Sequence, residues 1–207
     1  MPKIVDHEEY KKELLEKCFD LFCRKGYQQI SMREIGKEIG VSTGTLYHYF
    51  SSKEETLSQM LSWAIESNVE EFSFNTKENV SFQEKLKKIS DVWIDSEKYY
   101  QNLMALVIDM VRSGTVAPEK IFKYFSTSYS SGLEKSLNVS QEASKLIFVH
   151  LLGIIFHSLV TPNEFNYKDE ISSMRKILEV LLKEGESSEV DLLREILQEK
   201  PAQNPDQ

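Results

Sequence analysis

Apolar residues along this chain recur every three or four positions, and they nowhere alternate with polar residues for long enough to predict a strand. Beyond residue 53 the pattern separates into amphipathic stretches that are bounded by polar, glycine or proline positions. We predict helices over 53 to about 74, 82–100, 101–112, 118 to about 137, 140–159, 169–184 and about 189–198. The fold class is therefore all-α, with a disordered tail at residues 200–207.

The densest helix signals lie in residues 31–53, which read SMREIGKEIGVSTGTLYHYFSSK. Ser31 and Glu34 have the spacing of a capping box, in which the hydroxyl accepts an N–H of the first turn and the carboxylate reaches back to the cap. The helix that starts here meets Gly40, a residue that easily adopts the left-handed conformation of a helix end. We therefore predict a short helix followed by a tight turn.

A second and a third helix start follow within a few residues. Ser42 is placed to cap a helix of about two turns, in which Leu46 and Phe50 lie four apart and face inward. Ser52 and Glu55 repeat the capping-box spacing and predict a third helix from the next residue onward. Three closely spaced helix starts of this kind predict a helix-turn-helix. The alternative is a plain helical hairpin whose polar residues are only solvated.

Preceded by a helix that ends in FCRKGYQQI, the segment resembles the DNA-binding domain of the TetR (tetracycline-repressor) family of bacterial regulators. The resemblance runs from about residue 9 to residue 57. Its hallmarks are Phe22, Gly26-Tyr27, Ile35, Gly40-Val41, the run Thr45-Leu46-Tyr47-His48-Tyr49-Phe50, and Ser52-Lys53. It implies a helix-turn-helix DNA-binding domain at 1–53 and a helical effector-binding and dimerisation domain at 54–199.

The short second helix would enter the major groove by its N-terminal end. Residue types and positions matched to the family give a set of candidate DNA contacts. These are Arg33, Ser42, Thr43, Gly44, Thr45, Tyr47, His48, Tyr49 and Lys53.

Within that set we expect two kinds of contact. The residues from Thr43 to Tyr47, together with Arg33, are placed for base edges, and the glycine lets the backbone approach closely. His48, Tyr49 and Lys53 are expected to meet phosphates. For Tyr49, a partly buried position in the core is the alternative.

The net charge of −8 argues against a nucleic-acid binder until its distribution is considered. Residues 1–53 contain nine Lys and Arg against eight Asp and Glu, so this part carries +1 and the remainder carries −9. A near-neutral end on an acidic body fits a protein of which only one end meets DNA. The alternative is that the acidic surface only maintains solubility.

Several other classes of protein are disfavoured. The two cysteines, Cys18 and Cys23, lie on different sides of a helical pattern and have no second pair, so we expect a reduced, cytoplasmic chain without a metal site or cofactor. The apolar run 146–156 contains His150 and is short for a bilayer, so we expect no membrane span. The chain has no phosphate loop, nucleophile elbow or HExxH motif, and we expect no enzyme.

Two C-terminal helices carry more apolar surface than one neighbour can cover. The helix at 144–159 is apolar on nearly all sides, and the next helix has apolar residues on two faces. Pairing with the same two helices of a second copy would give a four-helix interface, and the alternative is a buried hairpin within one chain. The TetR resemblance implies pairing, and the candidate interface residues are Gly153, Phe156, Met174, Leu178 and Leu181.

The same part of the chain is rich in aromatic and methionine side chains. At any one position such a residue is more often core than pocket, but together they suit a container for an apolar or aromatic ligand. The candidate effector contacts are Trp63, Trp93, Tyr100, Met104, Tyr124, Tyr129 and Phe148. In the family, a bound effector shifts the helix that corresponds to 101–113 and releases DNA.

The sequence thus predicts a homodimeric, effector-responsive regulator that binds double-stranded DNA at an inverted-repeat operator, most simply as a repressor. Two alternatives stay open. In one, the chain is a small-molecule sensor or carrier whose N-terminal domain binds a protein partner. In the other, it activates transcription.

Overall fold

The computed structural model describes residues 6–73, 80–114 and 118–181, and every regular element in these residues is an α-helix. The helices are α1 (His7–Lys25), α2 (Met32–Ile39), α3 (Thr43–Tyr49), α4 (Lys53–Phe72), α5 (Phe82–Asp95), α6 (Glu97–Ser113), α7 (Pro118–Leu137), α8 (Gln141–Val160) and α9 (Tyr167–Leu181). The predicted all-α class is confirmed. The predicted helix near 189–198 and the tail at 200–207 lie outside the described residues.

Short polar side chains fix several of the helix starts. Asp6, Ser31, Ser42, Ser81 and Ser140 each accept a backbone N–H from the first turn of the helix that follows. A cap of this type contributes about 1 kcal/mol. These starts are therefore determined by neighbouring residues, which explains why α2, α3 and α8 begin at or within a residue of the predicted positions.

Two local expectations are wrong in detail. At the start of α4 the Ser52 hydroxyl accepts the Glu55 N–H at 3.1 Å, as predicted, but the Glu55 carboxylate accepts the N–H of Ser51 at 2.7 Å and closes no box with Ser52. The break between α5 and α6 lies at Ser96, not after Tyr100. Buried apolar residues continue at helical spacing across Ser96, so periodicity does not mark this break.

The chain divides into two compact units, and the division falls inside α4, α6 and α7, whereas the sequence analysis set its domain boundary after residue 53. The first unit comprises Met1–Asn68 with Asn102–Ile121, and the second comprises Val69–Gln101 with Phe122–Gln207. Burial in the first unit explains the difference, because the apolar face of α4 belongs to its core. Fully buried side chains of this core include Leu14, Leu21, Phe22, Ile35, Leu46, Phe50, Leu57 and Met60.

The second unit is built around packing of α9 against α5 and α8. Tyr167 joins the start of α9 to α5, since its buried hydroxyl donates to the Trp93 carbonyl at 3.2 Å. Gly132 of α7 allows a close approach, because a Cβ there would lie 2.7 Å from a methyl of Val69. The core includes the fully buried rings of Phe72 and Trp93.

The helix α8 has two different apolar faces. One face is buried in the second unit and includes Ile147, Phe148 and Leu151. The other face is exposed along the whole helix. By length and composition α8 is also, among the described residues, the one helix that could cross a membrane, which corrects the expectation that its apolar run is too short. A buried core helix passes the same test, and the first face of α8 fits that description.

Candidate nucleic-acid interface

The turn between α2 and α3 is held tightly by backbone geometry. Gly40 adopts the left-handed conformation, with φ 79° and ψ 29°, and the N–H of Val41 donates to the Gly36 carbonyl at 2.8 Å. A Cβ at Gly36 would lie 2.9 Å from the Val41 carbonyl oxygen and 3.4 Å from Leu46. Gly36 therefore sets how closely α3 lies on α2. The sequence analysis missed Gly36, because its spacing resembles any other position of α2.

Two core residues orient α3. Leu46 and Phe50 are completely buried, as predicted, and this places Tyr47 on the opposite side with 54% of its surface exposed. His48 is exposed beside it. The exposed side of α3 is therefore available to bind another molecule.

The N-terminal turn of α3 is stabilised by its own side chains. Ser42 accepts the Thr45 N–H at 2.9 Å, and the two hydroxyls lie 2.8 Å apart. The Thr45 hydroxyl thus makes a local contact in addition to the base contact predicted for it. Gly44 is exposed, and a Cβ there would meet only the Ser42 hydroxyl, so the backbone is accessible.

A surface groove of about 700 Å³ lies between the starts of α2 and α3. Arg33 and Lys37, which are exposed and four residues apart, supply two cations to its wall, and Thr43 lies on the other side. The Glu34 carboxylate also lines the groove. It accepts the Ser31 N–H and hydroxyl, which hold the pKa of the carboxyl below its usual range.

Lys37 is a second residue that the sequence analysis missed. The signal that finds it is its spacing from Arg33, since residues four apart lie on the same helix face. The groove therefore combines two cations and hydroxyl groups, the types of group that contact nucleic-acid backbones and base edges.

Tyr49 lies at the end of α3, and its position has features of both alternatives given for it, a phosphate contact and a partly buried place in the core. Its side chain is half-buried, and its ring contacts Tyr10 of α1 at a centroid distance of 5.7 Å. Its hydroxyl lies at the surface, 3.0 Å from Nδ1 of His7. The ring therefore serves the core while the hydroxyl remains available.

The Lys53 side chain makes contacts within its own unit. Its ammonium donates to the Tyr27 carbonyl at 3.1 Å and lies 4.3 Å from the centroid of the Tyr27 ring. The Tyr27 hydroxyl in turn donates to Glu54 at 3.3 Å. Burial, with Glu54 adding to it, raises the pKa of Tyr27 to about 12. The cation is thus fixed at the start of α4, where it also joins that helix to the turn after α1.

Neither cysteine has the features of a reactive site: Cys18 is buried in the core of the first unit, and Cys23 is half-buried. Burial raises the pKa of the Cys18 and Cys23 thiols to about 12, so both are protonated near neutral pH. A thiolate is the form that binds metals and reacts. Among the described residues, no three or more His, Cys, Asp or Glu side chains are grouped to hold a metal ion.

The structure brings some of the candidate effector residues together and separates others. Tyr129 is buried and lies 5.7 Å from the Phe148 ring and 6.4 Å from the Tyr100 ring, between centroids. Trp93 joins this cluster through Phe72, a residue that the sequence analysis missed. Tyr124 is 36% exposed on α7. Trp63 and Met104 belong to the other unit and are not part of the cluster.

Trp93 also carries an unpaired polar group. The indole Nε1 is buried and has no hydrogen-bond partner in the part of the chain that the structure describes. A buried donor without a partner costs roughly 1–3 kcal/mol. The aromatic cluster therefore contains a site where a hydrogen-bond acceptor would be stabilising.

The exposed apolar residues of α8 and α9 together form a surface that we name the α8–α9 apolar face. Its members are each more than half exposed and are spaced by three, four or seven residues along their helices: Leu146, Val149, Phe156 and Val160 on α8, and Ile177 and Val180 on α9. Gly153 lies among them, and nothing lies within 4 Å of a Cβ built on it.

Three of the predicted interface residues occupy other positions. Met174 and Leu178 are buried by their own chain, and Leu181 is half-buried. The predicted seam of α9 is the face that packs inside the second unit, and the exposed seam lies beside it at Ile177 and Val180. Apolar spacing by three and four defines both seams, so it did not distinguish the inner face from the outer one. Gly153 and Phe156 are exposed, as the prediction requires.

Comparison with known proteins adds independent information on the first unit. Residues 14–60 match the sequence model described as "Bacterial regulatory proteins, tetR family". The chain is 41% identical over 58 residues to the HTH-type transcriptional regulator PksA of Bacillus subtilis (strain 168), and the match covers 28% of each protein. The chain spans between 19% and 57% of the length of the first curated relatives that it matches.

Solved structures resemble the fold over most of the chain. The fatty acid degradation regulator FadR from Bacillus halodurans is 18% identical, with a TM-score of 0.58 over 81% of this chain and 93% of FadR. SmeT, the repressor of the Stenotrophomonas maltophilia multidrug efflux pump SmeDEF, is 15% identical, with a TM-score of 0.61 over 82% of this chain and 88% of SmeT. At these identities the likeness shows the fold.

The matched proteins are regulators of transcription and not enzymes, which confirms the expectation that the chain is not an enzyme. The matched segment contains α2, the Gly40 turn and α3, the same elements that form the groove and expose Tyr47. Residues 14–60 therefore match the helix-turn-helix segment of bacterial regulatory proteins of the tetR family.

Proposed function

We propose that the chain is a transcriptional regulator that binds an inverted-repeat operator as a homodimer and releases it when a small, largely apolar effector binds. The observation that carries the proposal is the exposed Tyr47 on α3, beside a groove that holds Arg33 and Lys37, in a domain that matches the family. The simplest form is a cytoplasmic repressor. An activator would bind DNA through the same contacts, at an operator in a different position.

Operator reading rests on the exposed side of α3 and the start of α2. Tyr47 is placed to contact a thymine methyl group, and Thr43 and Gly44 bring hydroxyl and backbone groups to the same groove wall. Arg33 is long enough to reach a guanine edge. Ser42, Thr45, His48 and Lys53 complete the contacts, with the last two directed at phosphates. With few cations, affinity is modest, and its fall with rising salt is correspondingly shallow, since the slope scales with the number of phosphates neutralised.

Dimerisation rests on the α8–α9 apolar face. Apolar side chains such as Phe156, 52% exposed, gain stability when a partner covers them. Open space at Gly153 permits a second helix to approach the α8 backbone. A second copy offers the same face, so the contact is isologous and places two recognition helices on one duplex.

Effector binding rests on the aromatic cluster of the second unit. Trp93, Tyr100, Tyr129 and Phe148 supply flat apolar surface, and the unpaired indole N–H offers one hydrogen bond. The effector is therefore an apolar or aromatic molecule with a hydrogen-bond acceptor. Because α4 and α6 contain residues of both units, a shift of either helix on binding is the route by which the effector acts on DNA affinity.

The decisive experiment is selection of bound duplexes from a random DNA pool by the purified protein at moderate salt. An enriched inverted repeat supports the regulator. A Tyr47→Ala variant is expected to lose the enrichment, and Tyr124→Ala, which removes an exposed tyrosine of the second unit, is expected to keep it.

Failure to enrich any sequence, at low salt as well, would overturn the proposal. The remaining function is then a sensor or carrier of small molecules whose helix-turn-helix contacts a protein. Dimer mass, measured on the same samples, separates this outcome from a loss of folding or pairing.

A further inference from the structure

The first turn of α1 lies against the end of the recognition helix. Nδ1 of His7 is 3.0 Å from the Tyr49 hydroxyl, although 42 positions separate them in the chain. The His7 ring also lies 6.2 Å from the His48 ring, centroid to centroid. Nothing in the sequence pattern places His7 beside α3. Tyr10, one turn further along α1, contacts the Tyr49 ring, and His7 is the residue of this turn that reaches the Tyr49 hydroxyl.

The hydrogen bond between His7 and Tyr49 has two possible directions, and they leave the phenol in different states. If Nδ1 of His7 is unprotonated, it accepts the only hydrogen of the Tyr49 hydroxyl. If Nδ1 carries a proton, it donates to the hydroxyl oxygen, and the phenol hydrogen is free to point outward. Only the second arrangement lets Tyr49 donate to a phosphate oxygen. Protonated histidine always has Nδ1–H, so it always produces this arrangement.

The charged and titratable groups around His7 come from three elements, α1, α3 and α4. On α1, Tyr10 and Lys11 share the helix face of His7, and the neighbouring Asp6 carboxylate accepts N–H groups of the first turn. From α3, His48 and Tyr49 face the ring. The Glu55 carboxylate of α4 interacts with Lys11. Glu8 and Glu9 follow His7 by one and two residues and therefore point to other sides of α1.

We propose that His7 is a positioning residue for phosphate binding by Tyr49: it holds the hydroxyl oxygen so that the phenol hydrogen is donated to the DNA backbone. The inference rests on the proposed function, since it assigns a role within the same interface. A phosphate contact carries no base information. His7 therefore sets affinity and its dependence on pH, and it leaves the operator sequence unchanged.

The test compares His7→Ala, His7→Asn and Tyr49→Phe by fluorescence anisotropy with labelled DNA between pH 6 and 8, the range in which histidine changes charge. At pH 6 we expect His7→Ala to weaken binding about tenfold, the effect of losing one charge-assisted hydrogen bond. Asn presents an amide N–H near the position of Nδ1, so His7→Asn restores most of the affinity. Its binding also varies less with pH than that of the wild type, and the difference isolates His7 from His48.

The double variant decides whether the effect passes through Tyr49. In a Tyr49→Phe background, His7→Ala should cause no further loss. An undiminished loss in that background, or a His7→Ala variant with the affinity and pH profile of the wild type, would overturn the proposal. Circular dichroism and dimer mass identify any variant that fails to fold, and His7→Asn then carries the comparison.

A random-sequence duplex at low salt separates this proposal from the proposed function. Phosphates are the same in every sequence, so the His7 effect must appear on this probe. If it appears while no operator is ever selected, the phosphate contact stands and the sequence-specific regulator fails. If an operator is selected but neither DNA responds to His7→Ala, the regulator stands and the role of His7 fails.

Discussion

The first unit and the second unit differ in what determines their structure. In the first unit, short elements are bounded by caps and glycine turns, and the exposed surface of α3 is polar with an aromatic centre at Tyr47. In the second unit, Ser81 and Ser140 also cap α5 and α8, but no polar signal distinguishes the exposed α8–α9 apolar face from the buried faces of the same helices. The comparison teaches that polar signals specify where helices begin, whereas apolar spacing leaves open which neighbour covers a given face.

The largest effect that tests this comparison concerns the uncovered face of the second unit. Phe156→Glu places a charge in the proposed dimer contact, and a desolvated, unpaired charge is strongly unfavourable. We expect the dimer to dissociate and operator affinity to fall at least about a hundredfold, measured by analytical ultracentrifugation and anisotropy. Phe122 of α7 is exposed to a similar extent, 55%, and Phe122→Glu serves as the matched control. A dimer that survives Phe156→Glu would contradict the assignment of this face.

Two glycines offer the next test, because each allows a close approach in one of the units. At Gly36 the added Cβ of Ala meets the backbone carbonyl of the α2–α3 turn at 2.9 Å, and this atom moves only if α3 moves. We expect Gly36→Ala to destabilise the protein by about 1–3 kcal/mol and to weaken DNA binding. Thermal unfolding and anisotropy measure the two effects.

At Gly132 the added Cβ meets the Val69 side chain at 2.7 Å and Phe72 at 3.2 Å. Side chains adjust more easily than a backbone turn, and Ala is favoured over Gly in a helix by about 1 kcal/mol. Gly132→Ala should therefore change stability less than Gly36→Ala and leave DNA affinity unchanged. If Gly132→Ala destabilises the protein more than Gly36→Ala does, the second unit, and not the first, is the more tightly constrained.

Two buried serines of the second unit differ in hydrogen bonding. Their substitution by alanine is therefore expected to change stability in different directions, and by less than the glycine substitutions do. The Ser136 hydroxyl is buried and has no partner among residues 6–73, 80–114 and 118–181, whereas the equally buried Ser144 hydroxyl donates to the Gln141 carbonyl at 2.9 Å. We expect Ser136→Ala to stabilise the protein by up to about 1 kcal/mol, and Ser144→Ala to be neutral or destabilising. Denaturant unfolding measures both, and a destabilised Ser136→Ala would mean that the hydroxyl has a partner in solution.

The smallest effect compares one motif in both units. Ser31 with Glu34 and Ser81 with Glu84 form the same capping box, and hydrogen bonds from the serine lower the pKa of each carboxyl. A carboxyl with a lowered pKa in the folded state adds stability above its unfolded pKa, and this is lost as the pH falls through the folded value. Glu34→Gln and Glu84→Gln should each reduce the acid sensitivity of unfolding measured from pH 6 to 3. If neither does, the carboxylate charges of these boxes add nothing to stability.

The same distinction, between local polar signals and packing with distant residues, determines how much of the molecule can be predicted from the sequence. The start of α2 at Met32, the turn at Gly40 and the exposure of Tyr47 follow from caps and spacing within about a dozen residues. The break at Ser96 and the buried side of α9 depend on residues far away in the chain, so local reading placed them wrongly. His7 beside Tyr49 depends on the packing of α1 against α3, which no local pattern encodes.

The continuity of α4 limits how this protein can be divided and recombined. Its twenty residues run from Lys53 to Phe72, and the core of the first unit uses Leu57 and Met60 from it. Asp109 of α6 also belongs to this unit, with a carboxylate oxygen 3.7 Å from where a Cβ of Gly26 would lie. A chimera that grafts a new DNA specificity by exchanging only residues 1–53 would therefore cut through a core, whereas exchanging the solvent-facing positions of α2 and α3 leaves it whole.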